Sequence, residues 1–126
     1  MQVTDTTPTG TITITGEHRQ LLDQLLDKWS LHVLDQLCEH GALRFNELRR
    51  AIPAVSQKSL TATLRRLERN GMVERLVVND RPVAIEYRIA PVGHSLQELI
   101  DALFQWTTTH LPDVELARAR FDDVIE

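Results

Sequence analysis

The chain has 126 residues, 42% of them hydrophobic, with a formal net charge of −4 and a single cysteine. That length suits one domain with a modest core, and a lone thiol excludes an intrachain disulfide framework. No run approaches the roughly 18 uninterrupted apolar residues of a membrane span, and residues 1–10 are polar and Thr-rich without a basic stretch leading into an apolar one, so a soluble cytoplasmic protein is expected.

Residues 1–15 mix Thr with Pro, Gly and Ile and read as a flexible arm, although Thr11-Ile12-Thr13-Ile14-Thr15 also carries the two-residue period of a short strand. From residue 17 to 26 the leucines Leu21, Leu22, Leu25 and Leu26 share one helical face. The pattern resumes at Trp29, Val33, Leu34, Leu37 and Cys38, giving two helices or one bent helix before Gly41. Leu43-Arg44-Phe45 then reads as a very short strand. Asn46 is the expected N-cap of a helix to about Ala51, since its side-chain oxygen can accept from a first-turn amide. Pro53 ends that helix and Ser56 caps the next, along which Leu60, Thr63, Leu64 and Leu67 project inward before Asn70-Gly71 supplies a left-handed exit.

Two β-rich runs follow, around the polar turn Asn79-Asp80-Arg81-Pro82. Pro91 opens a long helix carrying Leu96, Leu99, Ile100, Leu103, Phe104 and Trp106, and a last short helix is expected over residues 113–125. A helix-turn-helix followed by a hairpin is a winged helix, so the expected class is mainly α with a small antiparallel β wing. Residues 16–126 form the domain in this reading, with a DNA-binding core at 28–90 and C-terminal dimerisation helices at 91–126.

Charge placement supports that reading. Residues 44–81 hold nine bases against four acids, a surplus of five, which leaves −9 for the rest of the chain. A basic module in an acidic protein suits a surface that meets phosphates on one face. On the helix after Ser56, the residues Lys58, Thr61, Ala62, Arg65 and Arg69 lie opposite the leucines, with three cations and no acid. A helix fits the major groove and its N-terminal residues reach base edges, so Gln57, Lys58, Thr61 and Arg65 are the candidate readers. Ser56, Arg49 and Arg50 flank the groove and are candidates for the phosphate backbone. Arg81, at the hairpin tip, is placed to enter a neighbouring minor groove.

Apolar residues in the first and the long last helix exceed what one small core requires, and predict a homodimer whose recognition helices meet successive turns of an inverted repeat. Trp29, Phe104 and Trp106 either complete the core or line a pocket for a small-molecule effector. Cys38 reads as a small core residue, with a redox role as the alternative. The five histidines show no metal-ligand spacing, and no nucleophile elbow, phosphate loop or carboxylate pair is present, so no enzyme, metal or cofactor is expected. A winged module used for contact with an acidic protein, without sequence-specific DNA binding, is the alternative function.

The chain resembles the HxlR-type winged-helix transcriptional regulators. The likeness runs over Lys28-Trp29-Ser30, Arg44-Phe45-Asn46-Glu47-Leu48-Arg49-Arg50, Ile52-Pro53, Ser56-Gln57-Lys58, Leu60-Thr61, Leu64-Arg65, Leu67-Glu68, Gly71, Val73, Glu86-Tyr87, and Pro91 with Gly93 and Leu96. It implies a homodimeric, sequence-specific DNA-binding regulator, by analogy a repressor, that reads DNA through the helix starting near Ser56. Two departures accompany it. Many members sense oxidants through a cysteine just before the first helix, where this chain has Thr15-Gly16-Glu17-His18. The glycine pair common before Lys-Trp is replaced by Leu26-Asp27, which predicts a more continuous helix junction.

Overall fold

The computed structural model describes residues 13–124. The expected arm therefore lies outside the described residues except for Thr13, Ile14 and Thr15, which are exposed and in no strand. Helix α1 (Gly16–Leu25) starts at Thr15, whose hydroxyl accepts from the His18 amide while His18 Nδ1 accepts from the Thr15 amide. It ends at Leu26, and α2 (Lys28–His40) starts afresh because the Asp27 carboxylate accepts from the Ser30 amide at 2.7 Å. The junction is thus a capped break between two helices, one of the two arrangements the leucine pattern allows, and less continuous than the missing glycines predict: a good N-cap serves where a flexible residue is absent.

Gly41, at φ 84, turns the chain into β1 (Ala42–Arg44). Helix α3 (Phe45–Ala51) has Arg44 as its N-cap and so begins two residues earlier than a cap at Asn46 predicts. The Glu47 carboxylate accepts from the Arg44 amide at 2.7 Å, so the acid three residues into the turn fixes the boundary and Phe45 belongs to the helix rather than the strand. After a bend over Pro53 and Ala54, Ser56 Oγ accepts from the Ser59 amide at 3.0 Å and α4 (Gln57–Arg69) starts. It ends as expected on Gly71, at φ 78, with the Met72 amide donating to Leu67 O and the Gly71 amide to Glu68 O.

Strands β2 (Val73–Asp80) and β3 (Val83–Ile89) form the wing, and the antiparallel sheet has the order β1-β3-β2. The core lies between α2, α3, α4 and the base of the sheet: Val33, Leu34, Leu37, Leu48, Leu60, Leu64 and Leu67 are shut off from solvent, with Ile52, Val55, Met72, Val73, Ile89 and Ile100 around them. Each such side chain contributes about 1.5–3 kcal/mol by leaving water.

Helix α5 (Pro91–Val124) is one continuous helix of 34 residues, where a break before residue 113 was expected. Pro112 lies inside it, with Thr108, Leu111 and Asp113 around it all exposed. The carbonyl that loses its amide partner to the proline therefore faces water, which can replace the missing bond. At its other end α5 is pressed against the turn between α4 and β2: a Cβ on Gly93 would stand 2.2 Å from the Met72 carbonyl oxygen, and that same oxygen accepts from the Ala90 amide at 2.9 Å.

Candidate nucleic-acid interface

The period of α4 sorts its side chains into two faces. Leu60, Thr63, Leu64 and Leu67 are buried, whereas Ser56, Gln57, Lys58, Thr61, Ala62, Arg65 and Arg69 are exposed. Gln57, Lys58, Thr61, Ala62 and Arg65 together line one shallow, open depression, so all four candidate readers share a surface. Ser56 stands at its head, held by its capping bond to Ser59.

Arg49 and Arg50, at the last turn of α3, line an adjoining hollow with Asn46, Pro53 and Val55. Arg50 also faces a groove that runs from Arg44 to Glu47 on one side and from Pro82 to Glu86 on the other. It therefore stands between the helix-turn-helix and the wing. Arg81 is exposed at the hairpin turn, where its amide donates to Asn79 Oδ1 at 3.3 Å. Among the described residues, none of Arg49, Arg50, Lys58, Arg65 and Arg81 is held in an ion pair. Their charge is available to an outside anion.

Other arginines are committed elsewhere. Arg88 bonds Glu74, its cross-strand partner in the wing, at 3.2 Å. Arg66, next to the exposed Arg65, turns back into the protein and pairs with Asp27. Counting charge along the sequence treated all these cations alike and missed Arg66, Asp27, Gln24 and Asn70 as a connected group. The available signal was position: Arg66 flanks the buried stripe and directly precedes Leu67.

The three aromatics occupy different places. Trp29 is half-buried against the core, with Lys28 Nζ 4.6 Å from its ring centroid and the His32 ring at 5.7 Å. Phe104 lines a depression between α2 and α5 with Lys28, Leu31, His32 and Asp35, a set that includes neither tryptophan. Trp106 is 53% exposed and stacks on His110 at 4.8 Å. Cys38 is half-buried on the core, its Sγ 3.9 Å from Nδ1 of His94 on α5. No helix among the described residues is long and apolar enough to cross a membrane.

The chain is similar to known transcriptional regulators. The HTH-type transcriptional regulator YtcD of Bacillus subtilis is 38% identical over 90 residues, 71% of each chain. The regulator YtfH of Escherichia coli is 35% identical over 100 residues, 79% of each. Among solved structures, the transcriptional regulator ytfH from Salmonella typhimurium is 32% identical with a TM-score of 0.67, covering 80% of this chain and 89% of its own. These relatives are transcriptional regulators, and the mainly helical fold with a three-stranded antiparallel sheet is the winged helix they share. Residues 24–115 match the HxlR-like helix-turn-helix family, from the end of α1 through most of α5, and the chain belongs to that family of DNA-binding transcriptional regulators.

Proposed function

We propose that the protein is a cytoplasmic repressor that binds an inverted-repeat operator as a homodimer. In this reading α4 enters the major groove with Gln57, Lys58, Thr61 and Arg65 toward the bases, while Ser56, Arg49 and Arg50 hold phosphates and Arg81 reaches the adjacent minor groove. The observation that carries it is the α4 face itself. Its exposed cations make no internal ion pair among the described residues, and the opposite face is seated on leucines at most 1% exposed. A helix fixed on one side and uncommitted on the other suits a rigid reader.

The dimer rests on surplus apolar surface. Leu25 is the buried residue of α1, and the buried residues of α5 are Gly93, Gln97 and Ile100, while Leu21, Leu22, Leu99, Leu103, Phe104 and Leu111 are 44–69% exposed. A second copy covering these side chains would place two α4 helices for half-sites about 34–36 Å apart.

The test is a gel shift on a duplex spanning the intergenic DNA upstream of the gene, at two salt concentrations, with a promoter–reporter fusion beside it. The repressor should bind this duplex more tightly than unrelated DNA, lose affinity steeply as salt rises and lower reporter output. Lys58→Ala and Arg65→Ala should each weaken specific binding by about 1–3 kcal/mol with the fold intact. Unchanged binding in both variants would remove α4 from the reading role. Absence of any preference for the upstream duplex would instead favour the protein-contact module.

A further inference from the structure

Two adjacent arginines on α4 have opposite fates. Arg65 is exposed, whereas the side chain of Arg66 is only 28% exposed and is held by three groups of the α1–α2 corner. Arg66 Nε donates to the Gln24 carbonyl at 3.1 Å, and Nη2 pairs with the Asp27 carboxylate and donates to Ser30 Oγ at 3.3 Å. The other Asp27 oxygen accepts from the Ser30 amide at 2.7 Å, so one carboxylate both caps α2 and grips α4. One turn further, Asn70 Nδ2 donates to Gln24 Oε1 at 2.9 Å and to the Arg66 carbonyl at 3.0 Å.

Among the described residues, these are the side-chain hydrogen bonds that tie α4 and its cap to another helix. Leucine packing resists separation but is non-directional, whereas a guanidinium fork fixes angle and register. We infer that Arg66 and Asp27 are positioning residues for DNA recognition, a clamp through which the α1–α2 corner sets the orientation of α4. The inference rests on α4 being the reading helix. The corner follows directly on the exposed Leu22 and Leu26, so whatever covers those leucines also bears on the clamp.

A rival role is direct phosphate contact, because Arg66 also borders a shallow depression with Gln24, Arg65, Glu68 and Arg69. Salt dependence separates the two. Affinity of the full chain for the upstream duplex and for unrelated duplex is measured across a salt series, with denaturant melts, for Arg66→Ala, Asp27→Asn, the double variant, Lys58→Ala and Arg65→Ala. Asparagine retains the capping oxygen, so D27N removes the ion pair without uncapping α2. As positioning residues, Arg66→Ala and Asp27→Asn each lower specific affinity about tenfold, and the double variant is no worse than either single. Binding to unrelated duplex and the salt slope do not change.

A phosphate contact gives the opposite pattern. R66A then reduces the slope by about 0.9 and weakens both duplexes, while D27N leaves affinity unchanged or raises it by freeing the cation. That result overturns the clamp, as do additive losses. If R66A does not fold, D27N decides by the same two readouts. If Lys58→Ala and Arg65→Ala both bind like the parent while the clamp variants do not, the assignment of α4 as reader fails and takes the inference with it.

Discussion

Helices α4 and α5 are both amphipathic, and they dispose of their apolar residues in opposite ways. In α4, Leu60, Leu64 and Leu67 are fully enclosed and the outward face is polar or cationic. In α5 burial stops at Ile100, and Leu103, Phe104, Trp106, Leu111, Leu116 and Phe121 are each at least 47% exposed. The chain alone fixes α4. Beyond its first turns α5 extends for more than twenty residues, about 35 Å at 1.5 Å per residue, without a buried residue. The helix proposed to read DNA is built as a self-sufficient part, and the helix proposed to make the dimer is left incomplete by its own chain.

The largest effects should test the enclosed side of this contrast. Leu64→Ala removes a side chain 1% exposed at the centre of the core and should lower folding stability by about 3–4 kcal/mol in urea titration. Leu103→Asp, 57% exposed, should leave the far-ultraviolet dichroism of the folded chain intact and weaken self-association on the order of a hundredfold by analytical ultracentrifugation. If instead Leu103→Asp unfolds a monomeric protein, or leaves association unchanged, the two helices do not differ in the way described. Gly93→Ala sits at the boundary: it lies on α5 but presses on the Met72 backbone in the turn between α4 and β2, with the Ile89 side chain close on the other side, so the backbone neighbour cannot yield. A loss of about 2–3 kcal/mol is expected there, which would place the first turn of α5 with the winged core rather than with its own distal half.

This contrast also separates what the sequence shows from what it conceals. The two-faced character of α4, its serine cap and its glycine exit are local, because period and capping chemistry act within a few residues, and each was legible in order. Helix α3 was misplaced by two residues because Glu47, not Asn46, satisfies the first free amide. Continuity of α5 through Pro112 was hidden because a proline normally stops a helix, and only exposure of that segment makes the lost bond tolerable. The clamp of Arg66 on Asp27 joins residues 39 apart, a separation that no local period reports. Trp29, Phe104 and Trp106 looked alike as aromatics between the terminal helices and the winged core, yet they lie on the core, in a shallow depression and on an outer helical face.

The smallest predicted effect concerns the wing, which stands between the two extremes. Its strands are paired, but Val77, Val78 and Val83 near the tip are 45–68% exposed, and Arg81 crosses the turn without an ion pair among the described residues. Arg81 is therefore an uncommitted cation like Lys58, but on a support held by cross-strand hydrogen bonds rather than by a core. Its contact with DNA would be less preorganised than one made from α4, and much of its energy would go into ordering the tip. Arg81→Ala should accordingly weaken operator affinity only a few-fold, about 1 kcal/mol, while reducing the salt slope by about 0.9, the signature of one lost phosphate neighbour. The same substitution should leave discrimination between α4 half-site variants unchanged, since minor-groove contact by a single arginine reads width more than base identity. A loss as large as that of Lys58→Ala, or a change in half-site preference, would show that the wing is held as firmly as α4 and that its apparent exposure closes on the operator.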